Sequence, residues 1–544
     1  MKEQRSLRGK IWHTEHANLQ AQALQEALMN ARIGEADREQ WLKPSFADLA
    51  DPFDLKDMQL AKSRIEKAIK EQERIIVYGD FDADGITSTV ALVHGIKSLG
   101  ALVSYRIPER VKHSHGLKKD LIDEIVLTGS TLLITVDCGV NDRAEVAYAV
   151  EQGLDVIITD HHHVDEARVV DKAVALINPS QPKCGYITKN LAGVGVVFKL
   201  LQALKPDEKW LQPYLSLVAI GSVADCVKLT GESRTLVQLG LEALNQNHWP
   251  CLGTLLEHPD FVDAETIGFQ LAPCLNAASR LGEVKHAVQL FLGTESQTGD
   301  RVAYLKQLND ERRLITKQFT MQAEKLVNTN KSVQVLLLPN CPVGILGLVA
   351  SRLVEVLAQP ICCLTVHENG ELHGSARGPK EGNLIAGLES VSHYLTAFGG
   401  HSGAAGFRLK ESDLAEFVEG LSTWYAAHPS LTPTLQIAGA VEPQNLDFEW
   451  LGWQNQMQPF GIGNPAPVWQ LPSLKLTDIR MMGREGIHAR LTFENKHEVV
   501  AFFISDILDL LKVGESYSLA VKLGENTWNG ETTVQWQLVD VRKT

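Results

Sequence analysis

Short apolar runs at residues 75–78, 102–106, 132–136, 155–159 and 174–177 are spaced by stretches of helical periodicity at 86–98, 118–128 and 142–152, with a further helix predicted at 193–204. Runs that stay apolar, rather than alternating with polar positions, read as strands buried on both faces of a parallel sheet. Strand and helix in alternation predict a doubly wound α/β domain, with ligands at the carboxyl ends of its strands. Ahead of it, residues 1–70 read as a mostly helical arm packed on that domain, rich in Ala, Leu and Gln over 17–31 and amphipathic over 58–70. Helical spacing dominates again from about 211 to 330 and ends in a long charged helix near 296–328, suited to connecting two domains. A second, smaller α/β module starts at the apolar strand 333–338 and ends near His428. After a linker at 431–433 the chain alternates apolar and polar positions between Gly-containing turns, as a small β-barrel does. The predicted boundaries are an arm over 1–70, a doubly wound domain over 71–295, a connecting helix over 296–330, the second module over 331–430 and the barrel over 431–544.

A chain of 544 residues is too long for one hydrophobic core, in agreement with that division. It carries no uncharged apolar run long enough to span a membrane, and Met1-Lys2-Glu3-Gln4-Arg5-Ser6 lacks the apolar core of a signal peptide. A cytoplasmic protein is expected. The eight cysteines are scattered and form no CxxC, so neither a zinc ribbon nor a disulfide framework is indicated, and reduced thiols are expected. A formal net charge of -14 excludes coating nucleic acid through the overall field, though not through a local basic groove.

Three of the predicted strands end on acidic clusters. The first runs into Asp80-Phe81-Asp82-Ala83-Asp84-Gly85, the third into Asp137, and the fourth into Asp160-His161-His162-His163. Carboxylates gathered at one sheet edge raise each other's pKa, and divalent cations relieve that cost, so a metal site with two ions is expected. Mixed carboxylate and imidazole donors suit Mn²⁺ better than Mg²⁺. An EF-hand loop also begins DxDxDG, but its twelfth position must be Glu, and here it is Ala91. Thr87, Ser88 and Thr89 are predicted to open the helix at 86–98, with hydroxyls and N–H groups placed to hold an anion. Asp225, closing the apolar run 217–224, reads equally as a helix cap or as a fourth acid of the site.

The ordered set Asp80-Phe81-Asp82-Ala83-Asp84-Gly85, Val136-Asp137-Cys138-Gly139, Asp160-His161-His162 and Gly221-Ser222-Val223-Ala224-Asp225 resembles the four motifs of the DHH phosphoesterase superfamily. Within it, the runs starting at Leu191, Leu275, Gly399 and Pro459 are similar to those of the RecJ family of bacterial single-strand-specific exonucleases, from about Asp51 onward. The resemblance implies a DHH domain, a DHH-associated domain and an OB barrel in the three regions above. It implies an enzyme of DNA recombination and repair that degrades single-stranded DNA 5′ to 3′ into nucleoside 5′-monophosphates with two Mn²⁺ or Mg²⁺ ions.

On the same resemblance, Asp137 bridges the ions, Asp82 holds one, and Asp84, His161 and Asp225 hold the other; Asp80 is a further candidate on the first. His162 is expected on the scissile phosphate and Asp160 behind the histidines. Where many relatives carry a His four residues before Asp82, this chain has Tyr78; where RecJ relatives carry a His shortly before Gly344, it has Pro342. Substrate contacts are expected from Arg280, Ser375, Arg377, Gly400 and His401. In the barrel, Phe460, Trp469, Phe502, Phe503, Trp528 and Trp536 are candidates for base stacking, although small barrels bury most aromatics, and Lys475, Arg480, Arg484, His488 and Arg490 form its most basic stretch. The expected protein is a monomer whose partners are single-stranded DNA, a single-strand-binding protein and a helicase. Two other readings are a DHH-type phosphodiesterase for short oligoribonucleotides or cyclic dinucleotides, against which the barrel argues, and a noncatalytic DNA-binding scaffold, against which the intact ligand set argues.

Overall fold

The computed structural model describes residues 5–34, 38–113, 115–165, 170–246, 248–256, 261–367, 370–379, 382–428, 432–483, 486–528 and 530–544. Its first strand, β1 (Ile11–Thr14), departs from the helical arm read from the sequence: it pairs in parallel with Thr434–Ile437, far along the chain. Leu24 and Leu28, on the helix Ala21–Ile33, are buried in the core of the C-terminal barrel. The start of the chain is thus a brace for its end, whereas Leu55 and the helix Met58–Lys70 belong to the first α/β core, with Phe46, Leu49 and Ala50 packed against it.

That core surrounds β2 (Arg74–Gly79), β3 (Leu102–Arg106), β4 (Leu132–Val136), β5 (Asp155–Thr159) and β6 (Ala175–Ile177), all parallel, in the order β3-β2-β4-β5-β6. The order reverses between β2 and β4, and the crevice at such a reversal is where doubly wound sheets bind ligands. The helix Ala83–Ser98 leaves β2 and is buried along nearly its whole length, including the polar residues of its first turns. It lies against Gly193–Leu204 and Glu208–Ala224, and Gly95 lets Leu201 approach where a Cβ would sit 2.5 Å from it.

The long helix Thr298–Glu324 leads to a second sheet of β7 (Gln334–Leu337), β8 (Ile361–Val366), β9 (Glu371–Arg377), β10 (Leu395–Gly400) and β11 (Ala404–Lys410). Its order is β10-β11-β9-β8-β7, and only β7 and β8 run parallel. The helix Val343–Leu357 starts at Pro342 and covers one face. In the C-terminal domain, the antiparallel pairing of Trp469–Met482 with Ser516–Trp528 closes the sheet on itself, giving an OB-type barrel.

Candidate metal centre and arginine cleft

The acidic strand ends meet at the reversal point of the first sheet. Asp80, Asp84, Asp137 and Asp160 are buried there, and Asp82, His161, His162 and Asp225 are half-buried. Three overlapping sets bring potential ligand atoms within 4.8 Å of one another: Asp80 with Asp82 and Asp137, Asp84 with His161 and Asp225, and Asp137 with His161 and His162. Nε2 of His161 lies 3.1 Å from Oδ1 of Asp137, yet neither atom makes a hydrogen bond among the described residues; Oδ1 of Asp80 makes none either and faces Nδ1 of His115 at 3.2 Å. Buried polar atoms rarely stay unpaired, so converging unpaired ones are what a metal site leaves when described without its ion.

Each donor is fixed by its local fold. The helix starts at Ala83, three residues earlier than predicted, because Oδ1 of Asp82 accepts from the N–H groups of Asp84 and Gly85 as an N-cap. This overturns the anion site expected at Thr87, Ser88 and Thr89. Those residues lie buried in the helix body, and the Thr87 and Thr89 hydroxyls donate back to Ala83 and Gly85 carbonyls. Asp84 instead accepts from the N–H groups of Gly193 and Val194, at 2.7 and 2.9 Å, at the start of another helix. The glycines of two further motifs make room: a Cβ on Gly193 would sit 2.6 Å from Cβ of Asp137, and one on Gly221 would sit 2.6 Å from Oδ1 of Asp84. Asp137 itself turns at a φ of 61°. Asp225 is the C-cap of Glu208–Ala224, so both of its sequence readings describe the same residue.

The charges are unequal in consequence. Burial, together with the Asp225 charge, pushes the Asp84 carboxyl up to about 7, and burial with Asp82 does the same to Asp225. Asp137 is raised by burial and by Asp84. Asp160 goes the other way: burial opposes ionisation, but His162 and the N–H of Val140 hold it well below the ordinary carboxylate range. Its Oδ1 accepts from Nδ1 of His162 at 2.8 Å, and against the cost of burial this holds the His162 imidazolium up to about 10.

Sequence reasoning missed two members. Nδ1 of His115 lies 3.2 Å from Asp80, and its ring centroid is 4.9 Å from that of His162. Arg110 lies over the Phe81 ring at 4.2 Å. Arg110 opens the short helix Arg110–His113 after β3, and His115 follows it; the stretch is too short to show periodicity and holds no motif, so the only signal was a His and an Arg between two strands of the site's own sheet. Tyr78 is fully buried and donates to the Gly116 carbonyl, so it serves packing.

Arg110, Arg280, Arg312 and Arg377 form a basic cleft beside the carboxylates. Burial and the other three guanidiniums lower Arg280 to about 9. Gly344, on the helix Val343–Leu357, permits the contact between modules: Arg280 donates to its carbonyl at 2.6 Å, and a Cβ there would sit 2.9 Å from the Arg280 carbonyl oxygen; within the second module, a Cβ on Gly347 would meet Arg377 at 2.7 Å. Arg377 in turn donates to the Ser375 hydroxyl at 3.1 Å. Gly400 and His401 lie exposed at the turn from β10 to β11, a hairpin joined to the Arg377 strand through Ala404.

The barrel sorts its aromatics. Trp469 and Trp536 are core, Phe460 packs beside Arg32 and Met457, and Phe502 and Phe503 stand exposed beside His488. Lys475, Arg480 and Arg490 are exposed, Arg490 pairs with Glu498, and Arg484 lies outside the described residues. Among the described residues, no helix is long and apolar enough to cross a membrane.

A parallel sheet of this order, with Asp-rich strand ends and an Asp-His-His turn at its reversal point, defines a phosphoesterase of the DHH class. The model of the DHH family, N-terminal domain, matches residues 74–222, that of the DHHA1 domain 330–427, and that of the RecJ OB domain 437–540. The chain is 35% identical to the single-stranded-DNA-specific exonuclease RecJ of Bacillus subtilis over 91% of its own length and 66% of that protein's. It is 32% identical to RecJ of Thermus thermophilus over 90% of its length and 71% of the relative's. The crystal structure of the Thermus protein in complex with Mn²⁺ superimposes with a TM-score of 0.84 at 29% identity, covering 100% of this chain and 80% of that one; a second, in complex with Mg²⁺, gives 0.77. The chain belongs to the RecJ family.

Proposed function

We propose that this protein is a metal-dependent exonuclease that degrades single-stranded DNA from the 5′ end and releases nucleoside 5′-monophosphates. The observation that carries the reading is the juxtaposition of unpaired buried ligand atoms on Asp80, Asp137 and His161 with the cleft of arginines. The donors fit Mn²⁺ or Mg²⁺: Asp80, Asp82 and Asp137 would hold one ion, and Asp84, His161 and Asp225 the second, with Asp137 common to two of the ligand sets. When bound, the pair supplies Lewis acidity and a water of lowered pKa.

The chain's own groups do the rest. Asp160 keeps His162 protonated, so its ring can donate to a phosphate oxygen of the scissile group. Arg110, Arg280 and Arg377 would anchor a terminal phosphate, and Ser375 orients Arg377. One end held there and the next phosphate held at the carboxylates sets the cut one nucleotide in from the terminus. Phe502 and Phe503, beside His488 and Arg490, offer stacking and charge to the strand beyond. The matched OB domain weighs against the small-substrate phosphodiesterase, and the complete donor set against the scaffold. The proposal includes a cytoplasmic monomer that works with a helicase and a single-strand-binding protein, in keeping with eight unpaired thiols.

Digestion of a 5′-labelled single strand in Mn²⁺, beside matched duplex, RNA and dinucleotide, tests this. Immediate release of labelled mononucleotide from single-stranded DNA is expected. Cleavage of only the dinucleotide or RNA, or binding without cleavage, would overturn it.

A further inference from the structure

A cavity of about 180 Å³ is lined by the sequence neighbours of Asp225 and by Arg280 and Arg312 of the arginine cleft. Its apolar walls come from Ala224, Cys226, Ala272, Pro273 and Leu348, and its polar ones from Asn276, Arg280 and Arg312. The wall reaches both functional regions. Ala224 and Cys226 flank Asp225, Asn276 accepts from the Ala83 N–H between Asp82 and Asp84, and Arg280 belongs to the arginine cleft. Ligand pockets for drug-sized molecules run to roughly 300–1,000 Å³, so this one takes a single ring system rather than a whole nucleotide.

In the reading proposed above, on which this inference rests, the scissile phosphate sits at the carboxylates and the terminal phosphate at the arginines. One nucleoside joins those two phosphates, and its base must branch off beside both of them. We infer that the cavity receives the base of the terminal nucleotide. Apolar walls suit the faces of a base, and guanidinium planes stack on such faces without distinguishing one base from another. The guanidiniums are held for it: Arg312 donates to Asn309 at 3.0 Å and Arg280 to the Gly344 carbonyl at 2.6 Å. The site therefore registers that a base is present and tolerates all four, as an enzyme that digests any sequence requires. Gly268, in the π-helical turn Ile267–Leu271, lines the same cavity, and a Cβ there would approach nothing closer than Val223 at 4.0 Å. A larger side chain at that position fills the cavity without a backbone clash.

The test compares two 5′-phosphorylated single strands, one ending in thymidine and one in a tetrahydrofuran abasic residue, for release of the terminal residue below saturation. The wild type should release the base-bearing residue about tenfold faster, the scale of one base stacked on protein. That ratio should fall to about one in Gly268→Leu and in Arg312→Met, two variants that fail to fold for different reasons if they fail at all. Equal release of both ends by the wild type, or a ratio kept in both folded variants, overturns the base site alone. Release of neither residue overturns the exonuclease reading and this inference with it.

Discussion

The carboxylate cluster and the arginine cleft are neighbours built in opposite ways. All the acids but Asp225, which caps a helix, follow the ends of adjacent parallel strands of one sheet, where pairing of β2, β4 and β5 fixes their spacing. The arginines come from three helices of the first part of the chain and a strand of the second module, and Gly344 lets that module dock closely on Arg280. One region is rigid by topology and the other by an interface between domains. Chemistry that depends on ligand positions is expected at the first, and grip on the substrate at the second.

The largest effect should follow damage to the rigid side. Asp137→Asn should lower kcat by about 10³-fold at saturating strand, the scale of losing a preorganised electrostatic contact to the transition state. Strand binding measured by anisotropy should persist in this variant. Damage to the docked side should read out in the other parameter: Arg377→Ala should raise KM for a 5′-phosphorylated strand by about 10–100-fold, the worth of one charge-assisted hydrogen bond, with little change for a 5′-hydroxyl strand. A fall in kcat with KM unchanged would erase the division of labour between the two regions. Asp160→Asn should act through His162, lowering kcat by about tenfold, as loss of a partner behind the reacting groups does. Its activity should also decline at a lower pH than in the wild type, because the imidazolium loses the carboxylate that sustains it.

The smallest effect concerns protons in place of metal. Asp84 and Asp225 are pushed from 3.8 up to about 7 in the folded chain, so between those values the folded state holds protons that the unfolded chain releases. The stability they contribute is present below about pH 4 and lost as pH rises through 7. In chelator the thermal midpoint should therefore carry a downward pH slope over that window, shallower in Asp225→Asn, and Mn²⁺ should flatten it. A slope unchanged by both would leave no coupled carboxylates at the site.

The same contrast explains what could be read from the sequence. Uniformly apolar strands followed by Asp80, Asp137 and Asp160 announce a parallel sheet and its edge chemistry, because strand register converts sequence position directly into space. The helix start was placed late because Asp82 and Asp84 were counted as loop acids, whereas Asp82 caps the helix. His115 and Arg110 were missed because the position of a loop residue, or of a residue in a four-residue helix, is set by tertiary packing rather than by periodicity. The pairing of β1 with Thr434–Ile437 was illegible for a related reason: a four-residue strand whose partner is hundreds of positions away leaves no local mark. In the barrel, alternation located the strands but left open which aromatics face outward, and only Phe502 and Phe503 of the described candidates stand largely exposed.

These carboxylates and imidazoles would hold a pair of divalent ions, with Asp137 common to two of the ligand sets. Titration of the chelator-treated protein with Mn²⁺, followed by electron paramagnetic resonance, tests this most directly. Two ions per chain with the spectrum of an exchange-coupled pair are expected, with loss of the coupling in Asp137→Asn. A single uncoupled ion in the wild type, or coupling that survives the substitution, would contradict it.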